Sequence, residues 1–355
     1  MSESTSRPLR VAVVGCGNVS RGHIRGWLGD PDRARIIALV DAAAHQAEAR
    51  RAQFELSDVD ILADYREVLA RGDVDAVDLC TPGHLHTEMI LAALDAGKHV
   101  LTEKPTGYTL EECRRLRWYA RRYPQQKVAV GYSLRYYPLN IKVKQLLAQG
   151  VVGELLSIEA SHNHPSPLGG AGYAESGGRT QLSDSGGHYL PSSELTRSTH
   201  VFDFMRYVGG EVRDVFAFQE RGGTFALMRY ESGAIGKAAA GIASDQGLAT
   251  PHVLSVQGTT GTLFTQNDRV ISAWGGGYHG FVVTAGKQQR IDVAESDTGH
   301  GDATRTRNFL DAVYDGTPLI APLEDSVATS ELLHAIWLSH NTEQRVPVHR
   351  AHKTG

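Results

Sequence analysis

Two glycines and a later acidic residue form the first pattern that could do chemistry. Residues 15–20 read Gly-Cys-Gly-Asn-Val-Ser and follow an apolar, strand-like run. Gly15 permits a tight turn, Gly17 lets a pyrophosphate approach the backbone, and Ser20 is small enough for close packing of a helix on a strand. Asp41, about twenty residues further on, ends the next strand-like run, where a carboxylate can bind an adenosine ribose. The spacing predicts a dinucleotide site made by Gly15, Cys16, Gly17, Asn18, Val19 and Asp41.

The residues around Asp41 also indicate which dinucleotide binds. A carboxylate at this position repels the 2′-phosphate of NADP, and residues 42–44 are all alanine, so they offer no arginine or serine to hold a phosphate. The sequence therefore predicts NAD as the cofactor. Arg50 and Arg51 lie further along the predicted helix, and we interpret them as a solvated basic face.

Two longer motifs carry a family resemblance. Residues 78–86 read Asp-Leu-Cys-Thr-Pro-Gly-His-Leu-His, and residues 96–105 read Ala-Gly-Lys-His-Val-Leu-Thr-Glu-Lys-Pro. Together with the glycine loop, they strongly resemble the Gfo/Idh/MocA oxidoreductases, and the resemblance extends over nearly the whole chain. It implies an N-terminal Rossmann domain and a C-terminal domain with an open antiparallel sheet, which hold the nicotinamide and the substrate between them.

The resemblance also implies roles for single residues. Lys104 corresponds to the active-site lysine, and such a lysine, facing a positive nicotinamide and partly dehydrated, would have a lowered pKa. It could then take the proton of a substrate hydroxyl as hydride leaves the carbon. The alternative interpretation is a solvent-facing charge after a strand. The cofactor contacts that the resemblance implies in this part of the chain are Thr81, Pro82, His86, Glu103 and Lys104.

The segment that leaves the predicted Rossmann domain offers two candidate substrate contacts. Residues 131–138, Gly-Tyr-Ser-Leu-Arg-Tyr-Tyr-Pro, resemble the crossover of the family. Arg135 is predicted to line the cleft, although an ion pair at the domain junction explains an arginine there equally well. Tyr132 is the second candidate.

The catalytic histidine can be placed in two registers. Family members carry a histidine on a helix, often with a carboxylate four residues earlier on the same face. His200 lies in a helix that matches well, but Thr196 occupies the carboxylate position. Asp184 and His188 reproduce the spacing, but their surroundings match less well. We favour His200 and expect Asp184 and His188 to lie in an extra loop over the site. The candidate catalytic residues are Lys104, His200, Asp184 and His188, and the candidate substrate contacts are Lys104, Tyr132, Arg135, His188, Thr196 and His200.

These residues require a sheet and helices to position them. Short apolar runs alternate with helical patterns in the first third of the chain, which predicts a parallel sheet covered by helices. Strand patterns with glycine-containing turns follow later, which predicts a mainly antiparallel sheet in an α+β domain. We expect an NAD-binding Rossmann domain over residues 1–131 and a substrate-binding and oligomerisation domain over 132–355. The predicted strands are 9–14, 36–40, 76–79, 99–101, 128–130, 151–161, 212–219, 224–230, 234–243, 252–257 and 261–266, and the predicted helices are 42–54, 87–96, 109–122, 194–208, 305–314 and 324–339.

Composition limits the possible functions. The chain has 355 residues, enough for about two domains. Its formal net charge of -4 predicts no general attraction to nucleic acid or anionic membranes. Three widely spaced cysteines do not predict a disulfide scaffold or a metal site. The N-terminus lacks the apolar stretch of a secretory signal, so we expect a cytoplasmic protein.

The leading hypothesis is an NAD-dependent oxidoreductase that transfers a hydride between nicotinamide and a secondary alcohol or ketone of a sugar, cyclitol or aminosugar. Two alternatives stay open. Some proteins that the chain resembles are glycosidases that oxidise and re-reduce the sugar within one cycle, and the same fold could also serve as a non-catalytic NAD or sugar sensor. The resemblance further implies a homodimer or homotetramer.

Overall fold

Apolar runs near the N-terminus form a six-stranded parallel sheet. A computed structural model describes residues 7–162, 193–220, 223–240, 252–267, 278–291 and 301–349. The strand order in this sheet is β3-β2-β1-β4-β5-β6, which is the order of a dinucleotide-binding sheet. The strand order reverses between β1 and β4. Ligands of such sheets bind at this point, outside the carboxyl ends of the strands. The strands are β1 (Leu9–Val14), β2 (Ala34–Val40), β3 (Asp60–Leu62), β4 (Ala76–Leu79), β5 (His99–Thr102) and β6 (Val128–Val130).

The helices between these strands begin and end where local sequence signals predict. At the start of the fifth helix, the N–H of Glu112 donates to Oγ1 of Thr109 over 3.0 Å, and the Glu112 carboxylate accepts the N–H of Thr109 over 2.8 Å, a capping box. Gly97 follows the fourth helix with a φ of 71°, a conformation that favours glycine and ends a helix. The helices are α1 (Ser20–Leu28), α2 (Ala44–Gln53), α3 (Tyr65–Leu69), α4 (His86–Asp95) and α5 (Leu110–Arg122).

The parallel sheet belongs to a compact unit made of three chain segments, Met1–Gly107, Arg114–Tyr136 and Gly299–Val327. Its core contains side chains of β1 and β2 with Trp27, Phe309 and Leu310. The helix α8 (Asp302–Asp315) packs on α1, and a Cβ on Gly22 would lie 2.6 Å from a carboxylate oxygen of Asp302. We call this part of the chain the first unit. The predicted domain limit at 131/132 stays a prediction.

The second unit comprises Tyr108–Cys113, Tyr137–Thr298 and Ala328–Gly355. Its described strands form a nine-stranded sheet in the order β14-β13-β12-β11-β7-β10-β9-β8-β15. The sheet is mainly antiparallel, as predicted, but β7 and β10 run parallel to each other. The strands are β7 (Leu155–His162), β8 (Val212–Glu220), β9 (Gly223–Tyr230), β10 (Ile235–Ala240), β11 (His252–Gly258), β12 (Gly261–Asn267), β13 (Tyr278–Thr284), β14 (Lys287–Ile291) and β15 (Val346–Pro347).

One face of this sheet is covered by the helix α7 (Ser193–Gly209), which packs on β7, β9 and β10. Close packing depends on Gly209, because a Cβ there would collide with Tyr230 and Ile158. The remaining helices are α6 (Pro138–Ala148) and α9 (Leu323–Thr342). In the part of the chain that the structure describes, no helix combines the length and the apolar character needed to cross a membrane.

Candidate active site

The glycine loop begins with a residue that must be glycine. Gly15 follows β1 with a φ of 90°, and its N–H donates to the carbonyl oxygen of Val40 over 2.7 Å. A Cβ on Gly15 would lie 2.7 Å from the carbonyl carbon and oxygen of Cys80 and 2.9 Å from the nitrogen of Thr81. The missing side chain therefore lets the end of β1 lie directly against the end of β4.

The rest of the loop is open to solvent. Gly17, Asn18 and Val19 are all exposed, and a Cβ on Gly17 would meet nothing within 4 Å. Val19 is 51% exposed, which is unusual for an apolar side chain at a sheet edge. Backbone N–H groups and the positive end of the α1 dipole lie here, and no side chain caps the helix. The residues present fit the pyrophosphate of a dinucleotide.

Two side chains behind the loop fix its position. The hydroxyl of Ser20 donates to the carbonyl oxygen of Gly17 over 2.7 Å, and Nη2 of Arg50 donates to the same oxygen over 3.0 Å. The interpretation of Arg50 as part of a solvated face is wrong, because it is only 5% exposed and burial lowers its pKa. The reason is that Arg50 points from α2 toward the glycine loop, where its guanidinium donates to the carbonyl oxygen of Gly17.

Asp41 lies at the end of β2, next to the same loop. Its two carboxylate oxygens accept the backbone N–H groups of Cys16 and Ala43, each over 2.8 Å. The side chain is partly exposed and keeps further lone pairs for ribose hydroxyls. Cys16 itself is buried, and burial raises the pKa of its thiol to about 12, so it contributes its backbone to the site.

The turn that carries Lys104 follows β5 at the same edge of the sheet. The N–H of Glu103 donates to the carbonyl oxygen of Leu79 over 2.9 Å, and the peptide bond between Lys104 and Pro105 is cis. The carbonyl oxygen of Thr106 accepts the hydroxyl of Thr87 over 2.7 Å. Lys104 is partly exposed between these anchored neighbours. We refer to residues 103–106 as the lysine turn.

His86 connects the lysine turn to the loop after β4. It is fully buried, and its ring nitrogens lie 2.8 Å from the carbonyl oxygens of Pro105 and Thr81. Burial lowers its pKa. The neutral ring donates one of these two bonds, and because it is fully buried between the two carbonyl groups, the structure gives His86 a positioning role in place of the predicted cofactor contact. Thr81 is partly exposed and Pro82 is exposed, so both remain candidates for that contact.

A buried network of charges lies behind the lysine turn, and sequence reasoning missed it. His23 on α1 places Nδ1 2.7 Å from an Asp78 oxygen and Nε2 3.1 Å from a Glu103 oxygen. The other oxygen of Asp78 accepts the indole N–H of Trp27 over 2.7 Å. Arg305 of α8 places Nη1 3.9 Å from Glu103. Burial opposes a charge on Glu103, but the hydrogen bond and charge of His23, together with the charges of Arg305 and Lys104, outweigh it and lower the pKa of Glu103 to about 2.

His23, Asp78 and Cys80 bring three potential metal-ligand atoms within 4.8 Å of one another. The short separation between His23 and Asp78 is that of a hydrogen bond. Burial raises the pKa of the Cys80 thiol to about 12, so a thiolate ligand is disfavoured. The arrangement is therefore that of a hydrogen-bonded cluster, and the expectation that the protein holds no metal stays a prediction.

Two predicted substrate contacts are buried inside the first unit. Tyr132 is fully buried, and its hydroxyl lies 3.3 Å from the hydroxyl of Ser326. Arg135 is fully buried, donates to the carbonyl oxygen of Ile320 over 3.0 Å and forms an ion pair with Asp325. The predictions that Tyr132 and Arg135 contact the substrate are therefore corrected. Both side chains instead attach the chain after β6 to the start of α9, and Arg135 also binds Ile320 just before it.

The second unit carries the candidate catalytic helix. Thr196 and His200 lie one turn apart on α7, and His200 is partly exposed. The helix is held by Arg206, which donates to the hydroxyl of Thr329 over 3.0 Å, and by Asp203, which accepts from that hydroxyl over 3.1 Å. Two further predicted residues, Asp184 and His188, lie outside the described residues.

Comparison with known protein families fits this geometry. A Gfo/Idh/MocA model, described as an oxidoreductase family with an NAD-binding Rossmann fold, matches residues 9–132. A second model, the Gfo/Idh/MocA C-terminal domain, matches residues 140–264. The chain belongs to the Gfo/Idh/MocA oxidoreductase family. The predicted family, the fold class and the NAD-binding Rossmann domain are confirmed.

Individual members of this family show what the chain is similar to. Inositol 2-dehydrogenase of Ralstonia nicotianae is 30% identical over 204 residues, which cover 57% of this chain and 55% of that protein. The matches to the curated relatives span about half of their length. Levoglucosan dehydrogenase in complex with NADH and levoglucosan has a TM-score of 0.81 at 21% identity, covering 97% of this chain and all of that one. The WlbA dehydrogenase of Bordetella pertussis with NADH and UDP-GlcNAcA has a TM-score of 0.78 at 19% identity, covering 98% of this chain and 99% of that one.

Proposed function

We propose that this Gfo/Idh/MocA protein is an NAD-dependent oxidoreductase that interconverts a secondary alcohol and a ketone on a sugar, cyclitol or aminosugar. One observation carries the proposal: the exposed glycine loop, Asp41 and the lysine turn all lie at the carboxyl edge of one parallel sheet. The dehydrogenases that the chain matches, which act on inositol, levoglucosan and a nucleotide sugar, support this substrate class.

The residues of the site divide the work between binding and proton transfer. Gly17 and the start of α1 would hold the pyrophosphate, and Asp41 would hold the adenosine ribose. Bound NAD would supply the hydride acceptor. Lys104 would orient the substrate hydroxyl and take its proton. From the sequence pattern, His200 is the second candidate for transferring this proton. Thr196 lies one helical turn before it.

The test is NADH formation, followed by near-ultraviolet absorbance, with inositols, levoglucosan, free sugars, aminosugars, nucleotide sugars and glycosides. We expect NADH from one polyol class and slower turnover with NADP. Lys104→Met should lower the rate about a thousandfold while NAD still binds. The matched control is Lys287→Met, in an exposed hairpin, which should keep full activity.

Other results would change the assignment. Cleavage of a glycoside with no net NADH would move it to the redox-cycling glycosidase. Tight NAD and sugar binding without any turnover, unchanged by Lys104→Met, would favour the sensor and contradict the enzyme proposal.

We also propose that the protein acts as a homo-oligomer in the cytoplasm. Large apolar side chains on strands β7 to β10 of the second unit are between 48% and 59% exposed, an area that a soluble chain usually covers. A second copy of the chain would cover them, and the free thiols of Cys16, Cys80 and Cys113 suit a reducing compartment. The exposed side chains are Leu156, Phe218, Phe225, Leu227 and Ile235.

Light scattering on the pure protein tests the oligomer. We expect a dimer or tetramer that Leu227→Glu dissociates. Leu28→Glu, at an exposed site of the first unit, should leave the mass unchanged. A monomer at all concentrations would contradict this part of the proposal.

A further inference from the structure

His23 lies between two carboxylates in the interior of the first unit. Its ring is 1% exposed, with Nδ1 2.7 Å from Asp78 and Nε2 3.1 Å from Glu103. An ionised carboxylate can only accept a hydrogen bond, so both ring nitrogens must donate. A histidine that donates from both nitrogens is an imidazolium, and His23 is therefore positively charged in this arrangement.

The titratable groups around His23 come from three places, α8, the end of β4 and the lysine turn after β5. Burial opposes the charge, and so does the guanidinium of Arg305 on α8. Asp78 of β4 and its neighbour Cys80 favour the charge, and Glu103 after β5 completes the surroundings. The balance raises the pKa of His23 well above its usual value, in agreement with the geometry.

Glu103 connects this charge to the lysine turn. One of its oxygens faces His23, and the other accepts the backbone N–H of Lys104 over 3.3 Å. The carboxylate fits because residue 131 is glycine, since a Cβ there would collide with the oxygen that faces His23. The charge of Lys104 also interacts with that of Glu103, so a change at Glu103 is felt at Lys104.

We propose that His23 is a positioning residue for Lys104: its imidazolium fixes the Glu103 carboxylate under the backbone of Lys104 and cancels most of its negative charge. Lys104 is then held in a defined position for the substrate hydroxyl. It also loses its own proton readily enough to accept the proton of that hydroxyl. This inference rests on the proposed function for its catalytic meaning. Its physical content, the charge of His23 and its effect on Lys104, can be measured without any substrate.

A variant that removes the charge of His23 should raise the pKa of Lys104. In His23→Gln, an amide replaces the imidazolium, and among the described residues the more distant Arg305 and Lys104 remain as cationic groups near Glu103. A less compensated carboxylate nearby stabilises the charged lysine, so we expect the pKa of Lys104 to rise by about one pH unit. The measurement is a ¹³C NMR titration of labelled lysine side chains in the full-length protein, with Lys104→Arg to assign the signal.

Two further variants separate charge from packing. In His23→Gln combined with Glu103→Gln, both charges are gone, and the pKa of Lys104 should return toward the wild-type value. His99→Gln, at the amino end of β5, is the matched control and should leave Lys104 unchanged. Imidazole ¹⁵N shifts of the wild type should show His23 still doubly protonated above the usual histidine pKa of about 6.5.

The outcomes decide between the proposals. A folded His23→Gln variant with an unchanged Lys104 titration would overturn the role of His23. If that variant does not fold, Glu103→Gln alone should lower the pKa of Lys104, and no change there would likewise overturn it. Once a substrate is found, the acid limb of kcat/KM against pH should move with the NMR value. If no substrate is found, the proposed function fails while the NMR result still stands on its own.

Discussion

The glycine loop and the lysine turn lie at the same edge of one sheet, but they are held in different ways. Backbone contacts and the side chains of Ser20, Arg50 and Asp41 hold the glycine loop, and its outer residues, Gly17 and Val19, stay exposed. Side chains hold the lysine turn from behind, two of them buried histidines with bonds to Glu103 and Pro105.

The difference indicates two kinds of preorganisation. A surface that a dinucleotide will cover needs accessible N–H groups and no obstructing side chains, and glycine supplies both. A proton-transferring group needs a fixed position and a controlled charge, which requires buried partners at the cost of desolvating them. Four predictions test whether the two regions differ in this way.

The largest effect is expected from a pair of glycine variants. Gly15→Ala places a Cβ 2.7 Å from the carbonyl group of Cys80 at a φ of 90°, so we expect a loss of about 3 kcal/mol of folding stability or more. Gly17→Ala meets nothing and should change stability by less than about 0.5 kcal/mol. It should nevertheless weaken NAD binding about tenfold or more, because the added methyl group lies where the pyrophosphate would approach.

Urea unfolding and NAD titration by fluorescence measure both quantities on the same preparations. If Gly17→Ala were as unstable as Gly15→Ala, the loop would not be an open surface. If it bound NAD normally, the pyrophosphate would not lie there.

Acid stability tests the side-chain network behind the lysine turn. The pKa of Glu103 falls from an ordinary 4.5 to about 2, so its stabilising contribution is complete above pH 4.5 and is lost as the pH falls toward 2. The difference corresponds to about 3 kcal/mol. Glu103→Gln has no such carboxylate, so its stability should fall less between pH 5 and pH 3 than that of the wild type.

Chemical denaturation at several pH values checks this, with Glu48→Gln at an exposed site as the control that should follow the wild type. Equal acid sensitivity of the wild type and Glu103→Gln would show that Glu103 is not held as a carboxylate by His23.

The sheet and the glycine loop were predictable because their signals are local. Apolar runs with β-branched residues mark β1 and β2, and the glycine spacing marks the loop. Asp60–Leu62 was missed because three residues are too few to show an alternation, and α6 was missed because nothing marks its start except a proline. The strands β13 and β14 follow a glycine-rich stretch and lack a clear pattern.

The charge network could not be predicted for a different reason. His23 is 55 positions from Asp78 and 80 from Glu103, and no periodicity connects residues so far apart. Arg305 comes from near the far end of the chain. It belongs to the first unit because it lies on α8. The family resemblance pointed to Lys104 itself, whereas the groups that hold its turn became visible only in the folded chain.

His86 tests the comparison further. The family resemblance predicted a cofactor contact, whereas in the structure His86 connects two loops by hydrogen bonding. His86→Asn should remove at least one buried bond to the carbonyl oxygens of Pro105 and Thr81 and cost about 2 kcal/mol. NAD affinity should change by less than about threefold, since the ring offers no nitrogen to a ligand. His84→Asn, an exposed neighbour, is the control for both measurements. A large loss of NAD affinity without a loss of stability would restore the cofactor contact.

The smallest effect on stability is expected at Asp41, the carboxylate that accepts backbone N–H groups at the glycine loop. Both of its oxygens accept N–H groups, from Cys16 and Ala43, and an asparagine can satisfy only one of them with its single oxygen. Asp41→Asn should therefore cost about 1 kcal/mol of stability and weaken NAD binding about tenfold. Because the repulsion of a 2′-phosphate is removed as well, NADP binding should weaken less than NAD binding. The ratio of the affinity for NAD to that for NADP should therefore decrease. Competition titrations with both dinucleotides measure this, with Asp58→Asn as the exposed control. An unchanged preference would place the ribose elsewhere and leave Asp41 with a purely structural role in the glycine loop.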